Sequence, residues 1–364
     1  MRKTGFLIIA LVILANLAAW TLLNRPATAP DWTAPYNGLS FSPLRKGQDA
    51  MKDQLPSAEE IDEDLALVQD KTLRVRTYSS LGTLGLVPEM AQARELKVTA
   101  GAWLDQDEAN NRAEIEHLVA NANRWSSVER VIVGNEAVLR GDLTVAQLSA
   151  YIDQVRKSTR VPVGSAEPPH VWLEHPELAA TVDFIAVHIL PYWEGVPAEE
   201  APQWAFSRYQ EVVAAFPDKP VVIGEVGWPS AGSRFMGAKA SPVNQAVFIR
   251  EFLQLAQQHQ IDYFLMEAFD QPWKKALEGA VGAHWGIFDA DRQAKFPLTG
   301  AISAVPHWPW QAGLATVLAL MPMILFLRHW DNLKRRGQLF FAALIQLTAS
   351  LFAWTALLPL AVEM

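Results

Sequence analysis

No cysteine occurs in the 364 residues. That excludes disulfides, thiol catalysis and any zinc or iron–sulfur site built on sulfur ligands. A basic surplus is missing too, with 31 Lys and Arg against 39 Asp and Glu. A net charge of −8 argues against a polyanion, whose phosphates need a concentrated Lys/Arg face, so nucleic acid is not an expected partner. The chain lacks a Gly-rich phosphate turn after its first strand-like run and has no Gly-x-Ser-x-Gly. Dinucleotide binding and the usual serine-hydrolase elbow lose their signatures. His170 and His175 flank four residues in a spacing that fits no zinc helix, and no metal or cofactor is expected.

Long apolar runs, by contrast, stand at both ends. Gly5 to Leu23 carries no charge and follows Arg2 and Lys3. At about 1.5 Å per residue it nearly crosses a hydrocarbon core of about 30 Å. Ala27-Thr28-Ala29 offers a signal-peptidase site, but the run exceeds the usual length of about 7–15 residues and Pro30 would follow the cut. Residues 1–24 therefore read as an uncleaved anchor and 25–35 as a linker. Two further spans are expected at 308–327, interrupted by Pro322, and at 339–362, joined by a basic loop at 328–338. Lys and Arg mark cytoplasmic loops, so the middle of the chain faces outward. Trp308, Trp310 and Trp330 sit where an interfacial aromatic belt would. The lipid bilayer is the first partner.

Between the spans, short apolar runs alternate with helical patterns. The runs are Gly38–Ser42, Leu73–Tyr78, Lys97–Trp103, Val128–Val133, Val161–Gly164, Val182–His188, Pro220–Ile223 and Asp262–Met266. Ser57…Glu60 and Thr144…Gln147 fit capping boxes, and another helix starts at Ser241-Pro242. Strands that are continuously apolar, each followed by a helix, predict a parallel sheet covered by helices. Eight such units over about 240 residues predict an α/β fold, a (β/α)8 TIM barrel spanning 36–305, with a doubly wound sheet as the alternative.

A barrel of this kind carries its chemistry at the C-terminal strand ends. Two glutamates stand there, in Gly134-Asn135-Glu136 and Gly224-Glu225-Val226-Gly227-Trp228-Pro229-Ser230. A carboxylate at the end of an apolar strand is costly unless it serves a purpose. Two of them facing one cleft are what cleavage of a glycosidic bond requires.

Both motifs resemble the acid/base and nucleophile motifs of glycoside hydrolase family 17, the β-1,3-glucanases and β-1,3-glucanosyltransferases. Glu267-Ala268-Phe269-Asp270-Gln271-Pro272-Trp273-Lys274, His284-Trp285-Gly286-Ile287-Phe288-Asp289 and Gly38-Leu39-Ser40-Phe41-Ser42-Pro43 are similar to that family as well. The resemblance covers about residues 36–300. It implies Glu136 as acid/base and Glu225 as nucleophile of a retaining mechanism. Glu136 then needs a raised pKa, and the carboxyl groups a separation of about 5–5.5 Å. It also implies Asn135 as donor to the sugar 2-hydroxyl. Tyr78, Tyr192 and Glu267 are candidates to orient Glu225 or bind sugar hydroxyls, or are satisfied residues of the mouth. Lys274 resembles a substrate-site lysine of the family. Trp103, Trp193, Trp228 and Trp273 are possible platforms for glucose rings, with Trp228 and Trp273 preferred. His188 stays open between a subsite and a plain hydrogen bond.

With its membrane segments the chain resembles the N-terminal half of bacterial membrane proteins that join such a domain to a family 2 glycosyltransferase. This chain ends before any such domain, as a piece of a longer protein or a stand-alone relative would, and processive synthesis from a nucleotide sugar is not claimed for it. The implied activity is hydrolysis of β-1,3-glucan or transfer of a cut segment, on the periplasmic side of a bacterial inner membrane. The implied partners are β-1,3-gluco-oligosaccharides or glucan and a membrane glycosyltransferase domain or subunit. The alternative is a catalytically silent module that guides nascent glucan. Two retained carboxylates weigh against it.

Overall fold

The computed structural model describes residues 2–326 and 333–357. It divides into two compact units, Thr28–Gly300 and Met1–Ala27 with Ala301–Met364.

In the first unit eight parallel strands close into a barrel: β1 (Leu39–Ser40), β2 (Arg74–Arg76), β3 (Lys97–Ala102), β4 (Val128–Asn135), β5 (Val163–Glu167), β6 (Phe184–Ile189), β7 (Val221–Val226) and β10 (Tyr263–Leu265). Each pairs with its neighbour in sequence, and β10 returns to β1 through the register Leu39 to Leu265. A small hairpin, β8 (Arg234–Phe235) with β9 (Ala238–Lys239), interrupts the connection between β7 and β10.

Every residue of β5, β6 and β7 is buried, which is why their runs show no polar alternation. Inward-facing Ile132, Ala166, Phe184, Ala186, Val222 and Phe264 fill the barrel. Outward-facing Val131, Val133, Ile185, Val187 and Ile223 join the larger core with helix residues such as Ile61, Leu148, Ile152, Phe248 and Phe252. At the N-terminal end of the barrel, Arg74 and Arg130 both reach Asp262, at 2.8 and 2.7 Å, and close the floor.

Helix starts follow the sequence signals. Ser57 with Glu60 and Thr144 with Gln147 form complete capping boxes. Ser241 caps the helix Pro242–Gln258, each cap contributing about 1 kcal/mol. Buried Arg250 on that helix donates to Ala29 O, Pro30 O, Asp31 and Gly300 O, clasping both ends of the unit. The compact unit accordingly takes in part of the expected linker: Trp32 is buried, and its N–H bonds Leu298 O.

The second unit contains three helices, Arg2–Leu23, Trp308–Phe326 and Arg335–Leu357, each long and apolar enough to cross a membrane. Ala319, Ala342 and Ala349 lie in its interior, where small residues allow close helix approach. Ser350 donates to Asn16 at 2.9 Å. Leucine and phenylalanine face outward, among them Phe6, Leu14, Leu325, Phe340 and Leu351. The second helix continues through Pro322. The third begins at Arg335, earlier than the expected 339, because arginine is a good helix former and its long side chain reaches away from apolar surface. Residues 327–332, including Trp330 and the first part of the basic loop, and residues 358–362 lie outside the described ones.

Candidate active site

The strand ends of β2, β4, β6 and β7 converge on one cluster. Glu225 sits within β7, opposite His188 of β6 in the sheet register. Gly224 precedes it with reason: a Cβ there would stand 3.1 Å from the His188 ring and 3.2 Å from Arg76 Nη1. Glu136 follows β4 on a left-handed turn, with φ of 78° at Gly134 and 54° at Glu136 itself. Its N–H bonds Ala166 O on β5 at 2.7 Å.

Arg76 organises the cluster. Its guanidinium, 1% exposed, donates through Nη1 to Gly224 O at 2.7 Å and to Glu225 Oε1 at 3.3 Å, and through Nη2 to Asn135 Oδ1 at 2.6 Å. Nη1 also lies 2.9 Å from His188 Nε2. A guanidinium only donates, so Nε2 accepts and the ring proton sits on Nδ1. Nδ1 in turn lies 2.6 Å from Glu136 Oε1. One oxygen of Glu136 and one of Glu225 stand within 4.8 Å of each other, with a His188 nitrogen equally close. Three such donors form a potential metal cluster, but Arg76 already brings positive charge to it and occupies the His188 lone pair. Asn135 gives its oxygen to Arg76, leaving its amide N–H groups as donors.

The electrostatics differ from the expectation for Glu136. Burial pushes its carboxyl up, but the His188 hydrogen bond, with cationic Arg76 and Arg140 nearby, outweighs burial and sets the net direction downward. These neighbours favour the carboxylate form of Glu136. Arg140 also ties the turn, bonding Asn135 O, Leu104 O and Asp142.

Tyr78 at the end of β2 stays a neutral phenol, pushed well above its usual range by burial and then by the charge of Glu225. The guanidinium of Arg76 lies 4.8 Å from its ring centroid. Glu267 is fully buried, and Lys274 Nζ reaches both its oxygens at 3.0 and 2.9 Å. Burial pushes Glu267 up to about 7, against the pull of Lys274 and with Glu278 and Glu225 adding to the rise. Burial pulls Lys274 down, but the charges of Glu267, Glu278 and Glu225 win and hold it above its usual value. Glu267, Lys274 and Glu278 thus form a chain of ionisable groups that feel the charge of Glu225.

Two expected sugar contacts are corrected. Trp228 is wholly buried, its indole N–H bonded to Lys239 O, and has no face to offer a sugar. Tyr192 is 1% exposed and spends its hydroxyl on Ser233 O, packed edge-on against Trp228 and Trp285. Both build the wall behind the cleft. Trp193, 37% exposed, stands in front of that wall against Tyr192 and Trp285. Trp273 is half-buried, its N–H on Gln271 Oε1 at 2.8 Å. Trp103 has Arg140 4.3 Å over its ring.

Arg76 and Glu278 carry no motif that marks them in the sequence, and the hydrogen bonds of His188 place it in the cluster. The available signal for Arg76 was its place two residues after Arg74 in one strand, where alternation turns both side chains to the same face.

Residues 38–286 match the model of the BtgE/BtgC glycoside hydrolase domain. The chain is 29% identical over 294 residues to a glucan 1,3-beta-glucosidase of Arthroderma benhamiae, covering 74% of this chain and 93% of that protein. It is 27% identical over 304 residues to a probable glucan endo-1,3-beta-glucosidase, btgC, of Aspergillus flavus, where it covers 73% of this chain and spans 43% of the relative. Among solved structures it is similar to a glycoside hydrolase family 17 beta-1,3-glucanosyltransferase from Rhizomucor miehei, with 30% identity, TM-score 0.63, and coverage of 71% of this chain and 95% of that one. An active-site mutant of the Rhizomucor miehei beta-1,3-glucanosyltransferase was solved in complex with laminaritriose. An endo-laminarinase from Formosa, 22% identical with TM-score 0.64, shares the fold.

Proposed function

The chain belongs to the family of BtgE/BtgC glycoside hydrolase domains, and from that premise we propose that it is a membrane-anchored retaining enzyme that cuts β-1,3-glucan and passes the cut segment to another sugar. The observation that carries this reading is the pair Glu136 and Glu225, with oxygens within 4.8 Å and Arg76 bound to the nucleophile and, through His188, linked to the acid. Such closeness suits direct attack by one carboxylate and is nearer the separation of about 5–5.5 Å of retaining sites than the about 6.5–9.5 Å of inverting ones.

In the proposed sequence Glu225 attacks the anomeric carbon while Glu136 gives its proton to the leaving glycosidic oxygen. An ester to Glu225 and a shortened glucan result. Glu136, now a carboxylate, takes the proton from an acceptor hydroxyl, which attacks the anomeric carbon and releases Glu225. Substrate entry supplies the missing proton state of Glu136: a sugar in the cleft excludes water and raises the cost of two adjacent charges. Asn135 holds the 2-hydroxyl through its free amide. Trp193 and Trp273 offer apolar faces to neighbouring rings.

Transfer is favoured by context. A protein tied to a bilayer works on a polymer at that surface, on the periplasmic side by the charge rule, with a membrane glycosyltransferase as a fitting partner. An acceptor sugar competes with water only when binding positions its hydroxyl, which aromatic subsites do. The test is to incubate the full chain with a single β-1,3-gluco-oligosaccharide at millimolar concentration and read product masses. Products longer than the starting material support transfer. Shorter products alone show hydrolysis, and none shows that the site is silent.

A further inference from the structure

Behind the acid stands a carboxyl that the reaction above does not use. Glu167, the last residue of β5, is 0% exposed. It makes no salt bridge among the described residues. Its oxygens accept instead from two consecutive backbone N–H groups, Val138 at 2.7 Å and Leu139 at 3.2 Å. Those residues belong to the turn that Glu136 opens, closed by Arg140 N–H to Glu136 O at 2.9 Å. The residue before Glu167 holds the same turn from the other side, since Ala166 O accepts the N–H of Glu136. Burying a carboxylate without a cationic partner is expensive, and burial pushes Glu167 up to about 7 despite both N–H donors. Such a group is costly to keep for packing alone.

We propose that Glu167 is a positioning residue for Glu136, fixing by its two backbone hydrogen bonds the left-handed turn that aims the acid at the leaving oxygen. The assignment rests on Glu136 acting as the acid. Glu136 stands at a positive φ, a conformation that a non-glycine residue holds only when its surroundings impose it. Ala166 O and Glu167 supply that constraint from one strand end. Gln at 167 keeps the length but turns an N–H2 toward one of the two donors. Asp keeps the charge but falls short by a methylene.

The test uses the full chain and two substrates. A β-1,3-gluco-oligosaccharide needs its leaving group protonated, whereas a β-glucoside with an activated aryl leaving group does not. Glu167→Gln should lower the rate on the oligosaccharide about tenfold or more, as expected for a reacting group displaced by part of an ångström. It should leave the burst of activated aryl release, which reports formation of the glycosyl-enzyme alone, within about twofold of wild type. Rates across a series of aryl glucosides should depend more steeply on leaving-group acidity. Amide exchange at Val138 and Leu139 should quicken while the strand amides stay protected. Should the Gln variant not fold, Glu167→Asp makes the same comparison. A burst on the aryl glucoside slowed as much as the oligosaccharide rate, or wild-type dependence of that burst on the leaving group, overturns the proposal while the reading of the site stands. Wild-type protein that turns over neither substrate overturns that reading, and this proposal with it.

Discussion

Arg76 Nη1 lies 2.9 Å from His188 Nε2, and this one contact orders the whole mouth of the barrel. It fixes the imidazole proton on Nδ1, toward Glu136, while the same nitrogen of Arg76 reaches Glu225. Glu136 and Glu225 are therefore coupled through a cation and a ring rather than by direct contact.

Replacing Arg76 by Lys should slow oligosaccharides and activated aryl glucosides alike, by about 10²-fold in kcat/KM. A lysine ammonium cannot reproduce the planar fork that meets Gly224 O, Glu225, His188 and Asn135 together. Steady-state kinetics on both substrates checks this. A loss confined to the oligosaccharide would mean that Arg76 serves the acid alone.

The two carboxylates separate in the opposite sense. Glu225→Gln should abolish turnover of every substrate, whereas Glu136→Gln should still release an activated phenol in a burst of glycosyl-enzyme formation. Rapid-quench measurement of the burst decides it. Equal failure of both variants on activated substrates would reverse or dissolve the assignment of roles.

Stability should fall as pH rises. Glu114, Glu167 and Glu267 are each pushed up to about 7, burial being the largest cause in all three. Their folded values exceed the unfolded carboxylate value of about 4.3, so the stability they contribute is fully present below about 4.3 and lost as pH climbs through 7. Thermal unfolding followed from pH 5 to pH 8 should show a declining midpoint. Glu114→Gln, which frees Ser79 and Ser80 from an ionising partner, should flatten the decline. A midpoint that rises over this range would contradict the burial of these groups.

Tryptophans on and behind the wall should behave differently. Trp193→Ala should leave the unfolding midpoint nearly unchanged and raise the ratio of hydrolysis to transfer. Trp228→Ala should destabilise the barrel by about 3–5 kcal/mol, the cost of a large core deletion. Product masses and denaturant unfolding of the two variants measure both effects. A stable Trp228→Ala variant with altered transfer would return that residue to the cleft.

Much of this architecture is legible in the residues. Strands such as β6 and β7 are continuous apolar runs because both faces are covered, and the boxes at Ser57 and Thr144 mark helix starts by local chemistry. The two glutamates are visible because each closes an apolar run. What stays hidden depends on distance through the fold. Arg76 acquires its meaning from Gly224 and His188, more than a hundred residues away, and by itself is an arginine in a strand. Glu167 looks like a polar residue at a strand end until its oxygens are seen on the turn after β4. Nearness in sequence to Glu225 does not decide which side of the loop the Trp228 ring takes, and it takes the buried one. The lowered proton affinity of Glu136 arises from His188 across the barrel, a pairing invisible to any local pattern.

The most direct test of the central account is the anomeric configuration of the reducing end that hydrolysis of the glycosyl-enzyme first creates. Proton NMR, recorded within minutes of adding the full chain to a β-1,3-gluco-oligosaccharide, resolves the new reducing end before mutarotation mixes it. A glycosyl-enzyme on Glu225, with Glu136 serving first as acid and then as base, predicts that the β anomer appears first. First appearance of the α anomer would mean single inversion by water, and would contradict the roles given to both glutamates.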